Sequence, residues 1–372
     1  MTYATRLHQL SAQFKLGHDT RIEDRQFDIR YCDFNSKHAQ PTRSLKSFTQ
    51  KLLGDRVPEN EHFVYPVFKP SGPKRSSEVI ILLHGLNERS WNKYLPWAEY
   101  LCEQTGKAVL LFPIAYHVNR SPSDWSNPRF LQKILDMRRS TFGADRSLSF
   151  ANVALSERLT EHPERFYQSG RQSYYDLVQL VSELREGRHP LFSENTQVDV
   201  FAYSIGALLS QVLFLSNPGG LFDDSRLFML CGGAVFNRMY GESRSIMDRC
   251  SYEKLLEYYE KEWPVAEPHV DGPSEAFYSM IAPHFAQQQR IDRFEQMKHR
   301  ISGVSLANDR VIPYQGVVEA MGQAMTSERI SLIDMPFDYT HENPFPVNPK
   351  TDAKEVNQSF LQVFKQSVAF FA

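Results

Sequence analysis

The stretch VFAYSIGALLS, residues 200–210, decides how the chain is read. It is a short apolar strand, a single serine at Ser204, then a small-residue entry into an apolar helix. Two readings compete. Ser204 is either a buried hydroxyl at an ordinary strand-to-helix turn, or the residue that a sharp turn holds out as a nucleophile. Such an elbow is crowded, so the positions two before and two after the serine must be small. Here they are Ala202 and Gly206, and Ala207 keeps the next contact small. A helix beginning near Ile205 would aim its backbone N–H groups and its dipole at an oxyanion formed on a substrate. A small-x-Ser-x-Gly string is common by chance, so the local reading leaves both options open.

Outward from this stretch the chain alternates strand and helix. Val79–Leu83 in EVIILLHG is a continuous apolar, β-branched run, the pattern of a strand buried on both faces. WNKYLPWAEYLCEQTG follows with helical spacing, and Gly106 stands where a C-cap would. KAVLLFPIA is a second buried strand, which makes a crossover unit and a parallel sheet. RQSYYDLVQLVSELREG reads as a helix closed by Gly187. SRLFMLCGGAVFN, ISGVSLANDRVIP and ERISLIDMP read as later strands, and the final segment reads as a helix. Before this core, RQFDIRYCDF and EHFVYPVFKP are strands. Pro66 and Pro70 favour an edge position for the second. The polar run from Asn35 to Asn60 is an embellishment. The organisation expected is an N-terminal part, residues 1–77, joined to a core over 78–372 that carries insertions at about 118–170 and 238–300. Both insertions begin after a strand's C-terminal end, where ligands bind in open α/β sheets, and so suit lid or cap pieces.

A serine nucleophile needs a base, and the base needs an orienting carboxylate. SLANDRVIP places Asp309 just past a strand, and LIDMPFDYTHENP places His341 past the last strand. The order Ser204, Asp309, His341 is that of the α/β-hydrolases. His84 and Gly85 follow the buried strand VIILL. Gly85 lets the backbone turn, so that the amides of Leu86 and Ile205 would form an oxyanion pair. These motifs together resemble the α/β-hydrolase superfamily over about residues 78–370, less the insertions. Within it the chain resembles uncharacterised bacterial hydrolase-like proteins more than any lipase or peptidase family. Ala202 replaces the first glycine of the usual elbow. The resemblance implies an eight-stranded, mostly parallel sheet flanked by helices, a Ser-His-Asp triad, an acyl-enzyme mechanism and a bracing role for His84.

Other features weigh less. Asp334 and Asp338 lie near His341 and compete with Asp309 as the acid, but a neighbour in the same loop rarely points back at the ring. THEN at 340–343 lacks the second histidine of a zinc helix, since Phe345 stands there. His269, His284 and His299 are unevenly spaced and read as surface or lid residues. No metal and no cofactor are expected, and no phosphate-binding glycine loop exists. Trp125, Phe130, Trp263, Phe277 and Tyr278 lie in the insertions and mostly pack the lid, with a few lining a pocket. Arg138 and Arg139 are read as a solvated helix face, with a substrate carboxylate or phosphate as the alternative.

The composition agrees with a globular enzyme. The 372 residues are 41% hydrophobic and include 26 Phe and 17 Tyr, enough for a large core and an apolar cleft. A net charge of -2 with interspersed signs gives no footprint for nucleic acid. Four scattered cysteines form no CxxC pair, so reduced thiols are expected. The N-terminus MTYATRLHQLSAQFKLGHDTR lacks a secretory apolar run, and no stretch is apolar for the ~18 residues of a membrane span. The expectation is a cytoplasmic serine hydrolase for a small-molecule ester or thioester with an apolar part. The alternatives are an inactive hydrolase-like binding protein, or a non-hydrolytic triad enzyme such as an acyltransferase or lyase.

Overall fold

A computed structural model describes residues 2–22, 25, 27–38, 57–72, 74–263, 272–282 and 284–372. Its centre is a nine-stranded sheet. The strands are β1 Thr20–Arg21, β2 Phe27–Asn35, β3 His62–Pro70, β4 Ser76–Leu83, β5 Ala108–Phe112, β6 Phe192–Tyr203, β7 Leu227–Leu230, β8 Ile301–Leu306 and β9 Ile330–Ile333. Their order is β1-β2-β3-β5-β4-β6-β7-β8-β9. From β5 to β9 every pairing is parallel, and β1, β2 and β3 join antiparallel. This is the α/β-hydrolase fold, with the two-residue β1 added to the eight strands expected.

The helices are α1 Tyr3–Gln13, α2 Leu95–Thr105, α3 Pro128–Phe142, α4 Val153–Glu161, α5 Arg165–Arg185, α6 Ile205–Ser216, α7 Arg249–Glu257, α8 Gly272–Ile281, α9 Gln287–Gln296, α10 Tyr314–Met321, α11 Gln323–Arg329 and α12 Ala353–Phe371. Strand β4 shows why they cover both sheet faces. Val79, Ile81 and Leu83 join one buried cluster with Leu180, Leu184 and Leu209 of α5 and α6. Ile80 and Leu82 point the other way, into Trp97 of α2 and Phe360 and Phe364 of α12. Side chains alternate across a strand, so an unbroken apolar run serves two cores. Each such side chain contributes about 1.5–3 kcal/mol by its burial. Gly106 closes α2 at φ 70, a left-handed cap that glycine adopts without a Cβ clash.

Several expectations are corrected. Strand β3 is interior, between β2 and β5. It pairs with β5 only at Val67 and Phe68, so Pro66 and Pro70 stand just outside that ladder and their missing N–H groups do not break it. The expected strand at 225–237 is only four residues long, because Cys231 turns out of it at φ 48. Gly322 at φ 85 divides the helix expected after β8 into α10 and α11. The N-terminal segment, for which no element was expected, forms α1. Thr2 caps α1, and the buried Tyr3 packs on Phe345 and Phe360 while its backbone N–H donates to Asn357 of α12 (2.8 Å). Residues 39–56 of the embellishment expected at 35–60 lie outside the described residues. No helix among the described residues is long and apolar enough to cross a membrane.

Candidate active site

Four loops meet at the C-terminal edge of the parallel strands. Ser204 follows β6, His84 and Gly85 follow β4, Asp309 follows β8 and His341 follows β9. The backbone at Ser204 has φ 57 and ψ -121, a strained conformation for a residue with a Cβ. Gly206 makes that turn possible. A Cβ there would stand 2.8 Å from the Leu83 Cβ and 3.0 Å from the carbonyl oxygens of Leu83 and His84. The Ser204 N–H donates to the Leu230 carbonyl at 3.2 Å, which ties the turn to β7.

The side chains form a hydrogen-bonded row. Ser204 Oγ lies 2.6 Å from His341 Nε2, and His341 Nδ1 lies 2.8 Å from Asp309 Oδ2. The other carboxylate oxygen, Oδ1, accepts the N–H groups of Val311 and Ile312 at 2.9 Å each. Both Asp309 oxygens are thereby fixed and the carboxylate accepts Nδ1–H. This leaves the Nε2 lone pair facing the Ser204 hydroxyl. Ser204, Asp309 and His341 are only 4%, 5% and 4% exposed.

The competing acids are elsewhere. Asp334 accepts from Asn308 (2.9 Å) and is exposed, as is Asp338. His84 stands apart from Ser204. Its Nε2 accepts the Ile114 N–H at 2.9 Å and its Nδ1–H donates to the Gly85 carbonyl at 2.8 Å. Burial, then the neighbouring His117, holds it well below the usual imidazole range, so it is neutral near pH 7. Among the described residues, the N–H groups of Leu86 and Ile205 meet no protein acceptor.

Sequence reasoning missed the residues that hold these loops together. Tyr203 precedes the serine. Its hydroxyl donates to the His341 carbonyl and its ring stacks beside the imidazole at 5.6 Å. Gly85 N–H donates to the Tyr94 hydroxyl (3.0 Å), which donates to Glu88 Oε1 (2.8 Å). Lys93 also pairs with Glu88, reaches the Glu342 carbonyl at 3.0 Å and lies 4.6 Å above the Tyr203 ring. One network thus ties the loop after β4 to the loop that carries His341. Cys231 is buried near Asp309, and burial raises its thiol well above the ordinary value. The only sequence signal for Tyr203 was its adjacency to Ser204.

The insertions lie against this edge and against each other. Arg138 is neither a solvated face nor a substrate ligand. It is 1% exposed, donates to both Asp248 oxygens at 2.8 Å and to Glu157 at 2.6 Å, and so joins the first insertion to the second. Arg139 is exposed. Asn87, just past the Gly85 turn, donates to Ala151 and Ser245 carbonyls at 2.7 Å each, one in either insertion. His284 and His299 are exposed, and His269 lies outside the described residues. Helix α5 begins at Arg165, inside the stretch read as the first insertion.

Two cavities flank Ser204. One is lined by Ser204 itself with Met239, Ile246, Met247 and Val311. The other, larger one is lined by Trp125, Leu159, Leu208 and Phe277 among others. Leu86, Phe166 and Ile205 line both. Trp263 and Tyr278 are buried against each other at 5.2 Å instead, and Phe130 packs against the cluster around Trp125 and Leu131.

No curated protein matches the chain. Among solved structures it is similar to an esterase from Pyrobaculum calidifontis, with 10% identity, 99% of this chain and 89% of that one covered, and a TM-score of 0.42. It is also similar to a thermostable esterase from Pseudomonas putida, with 11% identity, 99% and 89% covered, and a TM-score of 0.44. An acylaminoacyl peptidase from Pyrococcus horikoshii is similar at 10% identity over 94% of this chain and 42% of that one, with a TM-score of 0.44. The family model for the family of unknown function DUF6051 matches residues 1–372, and the chain belongs to that family.

Proposed function

We propose that the protein is a serine hydrolase that cleaves a carboxylic ester or thioester through an acyl-enzyme. One observation carries the reading: Ser204 Oγ, 2.6 Å from His341 Nε2, sits on a strained turn while Asp309 fixes the opposite imidazole nitrogen at 2.8 Å. Ser204 Oγ attacks the carbonyl carbon as its proton passes to His341 Nε2. The carbonyl oxygen takes the negative charge and lies against the N–H groups of Leu86 and Ile205. His341 then protonates the departing alkoxide or thiolate as the carbon–leaving-group bond breaks. A water, deprotonated by His341, attacks the acyl-serine and releases the acid. Asp309 orients His341 and stabilises its cation. His84 and Gly85 hold the oxyanion loop, and Ala202 and Gly206 leave room for the elbow.

In this reading the two insertions are a cap, and the apolar cavities beneath it take the limbs of a small-molecule ester. The cysteines Cys32, Cys102, Cys231 and Cys250 are all free, which suits a reducing, cytoplasmic setting. The test is labelling by a fluorophosphonate probe. The intact protein is expected to be labelled and Ser204→Ala is not. An unlabelled protein, or equal labelling of the variant, ends the hydrolase reading. The near-complete burial of Ser204 and His341 also favours acyl transfer as a second outcome, because the cap restricts water. Product analysis with and without an acceptor alcohol separates transfer from hydrolysis.

A further inference from the structure

We infer that Asn87 is a positioning residue. It seats the oxyanion loop on the seam between the two insertions, so that the insertions set the direction of the Leu86 N–H, whose role rests on the ester-cleaving reading.

The backbone accounts for only part of the choice of residue. Asn87 has φ 61, in the left-handed region, where asparagine is enriched among residues that carry a Cβ. Glycine would serve that backbone equally well, so conformation alone does not explain the side chain. The amide does. Its nitrogen donates to the Ala151 carbonyl and to the Ser245 carbonyl at 2.7 Å each. Both partners are acceptors, so both N–H bonds of the amide are used, one on either insertion.

The two carbonyls lie where the insertions meet. Asn152 is fully buried there, and its amide donates to the Ser147 carbonyl of its own insertion and to the Ser243 carbonyl of the other, at 2.8 Å each. Ser149 Oγ donates to the Arg244 carbonyl across the same seam. Asn87 thus joins the loop after β4 to a junction that already exists. Its neighbours follow it. Arg89 Nη2 also donates to the Ala151 carbonyl, at 2.6 Å, and the Glu88 carbonyl accepts the Val118 N–H of the first insertion at 2.9 Å.

Leu86 stands between two anchored residues. On one side the Gly85 N–H donates to the Tyr94 hydroxyl at 3.0 Å, and on the other is Asn87. The peptide unit is planar, so anchoring both neighbours fixes where the Leu86 N–H points. A donor to a developing oxyanion acts most strongly when its direction is set beforehand. If Asn87 were only a staple for the insertions, its loss would lower stability and leave turnover unchanged.

The experiment compares Asn87→Gly and Asn87→Asp with the parent protein. Glycine keeps the left-handed backbone and removes the amide. Aspartate keeps the size and shape of the side chain but turns acceptors toward two carbonyls. In both variants kcat for p-nitrophenyl acetate is expected to fall about tenfold with KM within about twofold, because the contact acts in the transition state. That fall is smaller than the roughly 10²–10³ of an oxyanion donor removed outright. Hydrogen–deuterium exchange of residues 85–89 is expected to be faster in both. Unchanged turnover in either variant, a raised KM with unchanged kcat, or exchange that stays at the parent's rate overturns the inference. Asn87→Asp carries the test if circular dichroism shows that Asn87→Gly does not fold. Fluorophosphonate labelling of the parent reads the chemistry separately. A parent that stays unlabelled while both variants exchange faster loses the ester reading and keeps Asn87 as the residue that seats the loop.

Discussion

The loops at the strand ends and the two insertions above them are held in place by different means. Ser204, Asp309 and His341 each stand at or soon after the end of a strand of the parallel sheet, so the sheet itself delivers them to one edge. The insertions have no sheet to register them. They are fixed by side chains that reach across long stretches of chain, with Arg138 meeting Asp248 and Glu157 across 110 and 19 residues. The difference teaches where function resides in this fold. The proposed triad is placed by backbone topology, and the walls around it are placed by apolar packing, with Ile246, Leu255 and Phe277 in the main core, together with a few buried polar contacts.

Breaking the strand-end constellation should have the largest effect. Asp309→Asn removes the group that sets the His341 tautomer, and in the proposed hydrolase turnover is expected to fall by about 10⁴ with little loss of stability. A fall of less than about tenfold would show that another group orients His341. Breaking the insertions should do the opposite. Arg138→Met leaves Asp248 and Glu157 buried without their cation, and the expected cost is about 3–5 kcal/mol in denaturant unfolding. If the loss is under about 1 kcal/mol, the insertions are not held by that cluster and the contrast fails.

Acid should act on the body of the protein next. Burial pushes His117 and His189 down to about 4, below the ~6.5 of an unfolded histidine. The unfolded chain therefore binds more protons between those values. Stability is full above about pH 6.5 and falls as pH drops toward 4, by an amount on the order of 3 kcal/mol for each histidine. Unfolding free energies measured across that window check the sign, and His189→Gln should flatten the slope. The smallest effect should come from the insertion surface. Lys261 and Glu257 pair at 3.1 Å on an exposed helix face, and Lys261→Ala should shift stability by no more than about 0.5 kcal/mol. A larger loss would mean that the surface of the second insertion, and not only its buried polar contacts, fixes it.

Much of the sheet and of the candidate site was legible because its signals are local. An apolar run such as Val79–Leu83 must be buried on both faces. A small residue at position 206 is required wherever a serine turn packs on the preceding loop. Chain order then set Ser204, Asp309 and His341 past the ends of β6, β8 and β9. Other features were not legible. The first helix carries only Tyr3 and Leu10 into the core, too few for a pattern, and it forms because α12 offers it a surface. Arg138 looked like a solvated charge because nothing near it in sequence announces Asp248. Pro66 argued for an edge strand because the short reach of the β3–β5 ladder is a property of the assembled sheet.

The amino-acid sequence by itself determined the fold class, the order of the three polar residues and the loops that carry them, since periodicity and turn sterics act over a few neighbouring residues. Only the tertiary structure decided that Asp309 and not Asp334 meets His341, that Tyr203 and Lys93 tether the histidine loop, and that Asn87 reaches both insertions. Those outcomes depend on contacts between distant residues, and packing, not local preference, selects among them.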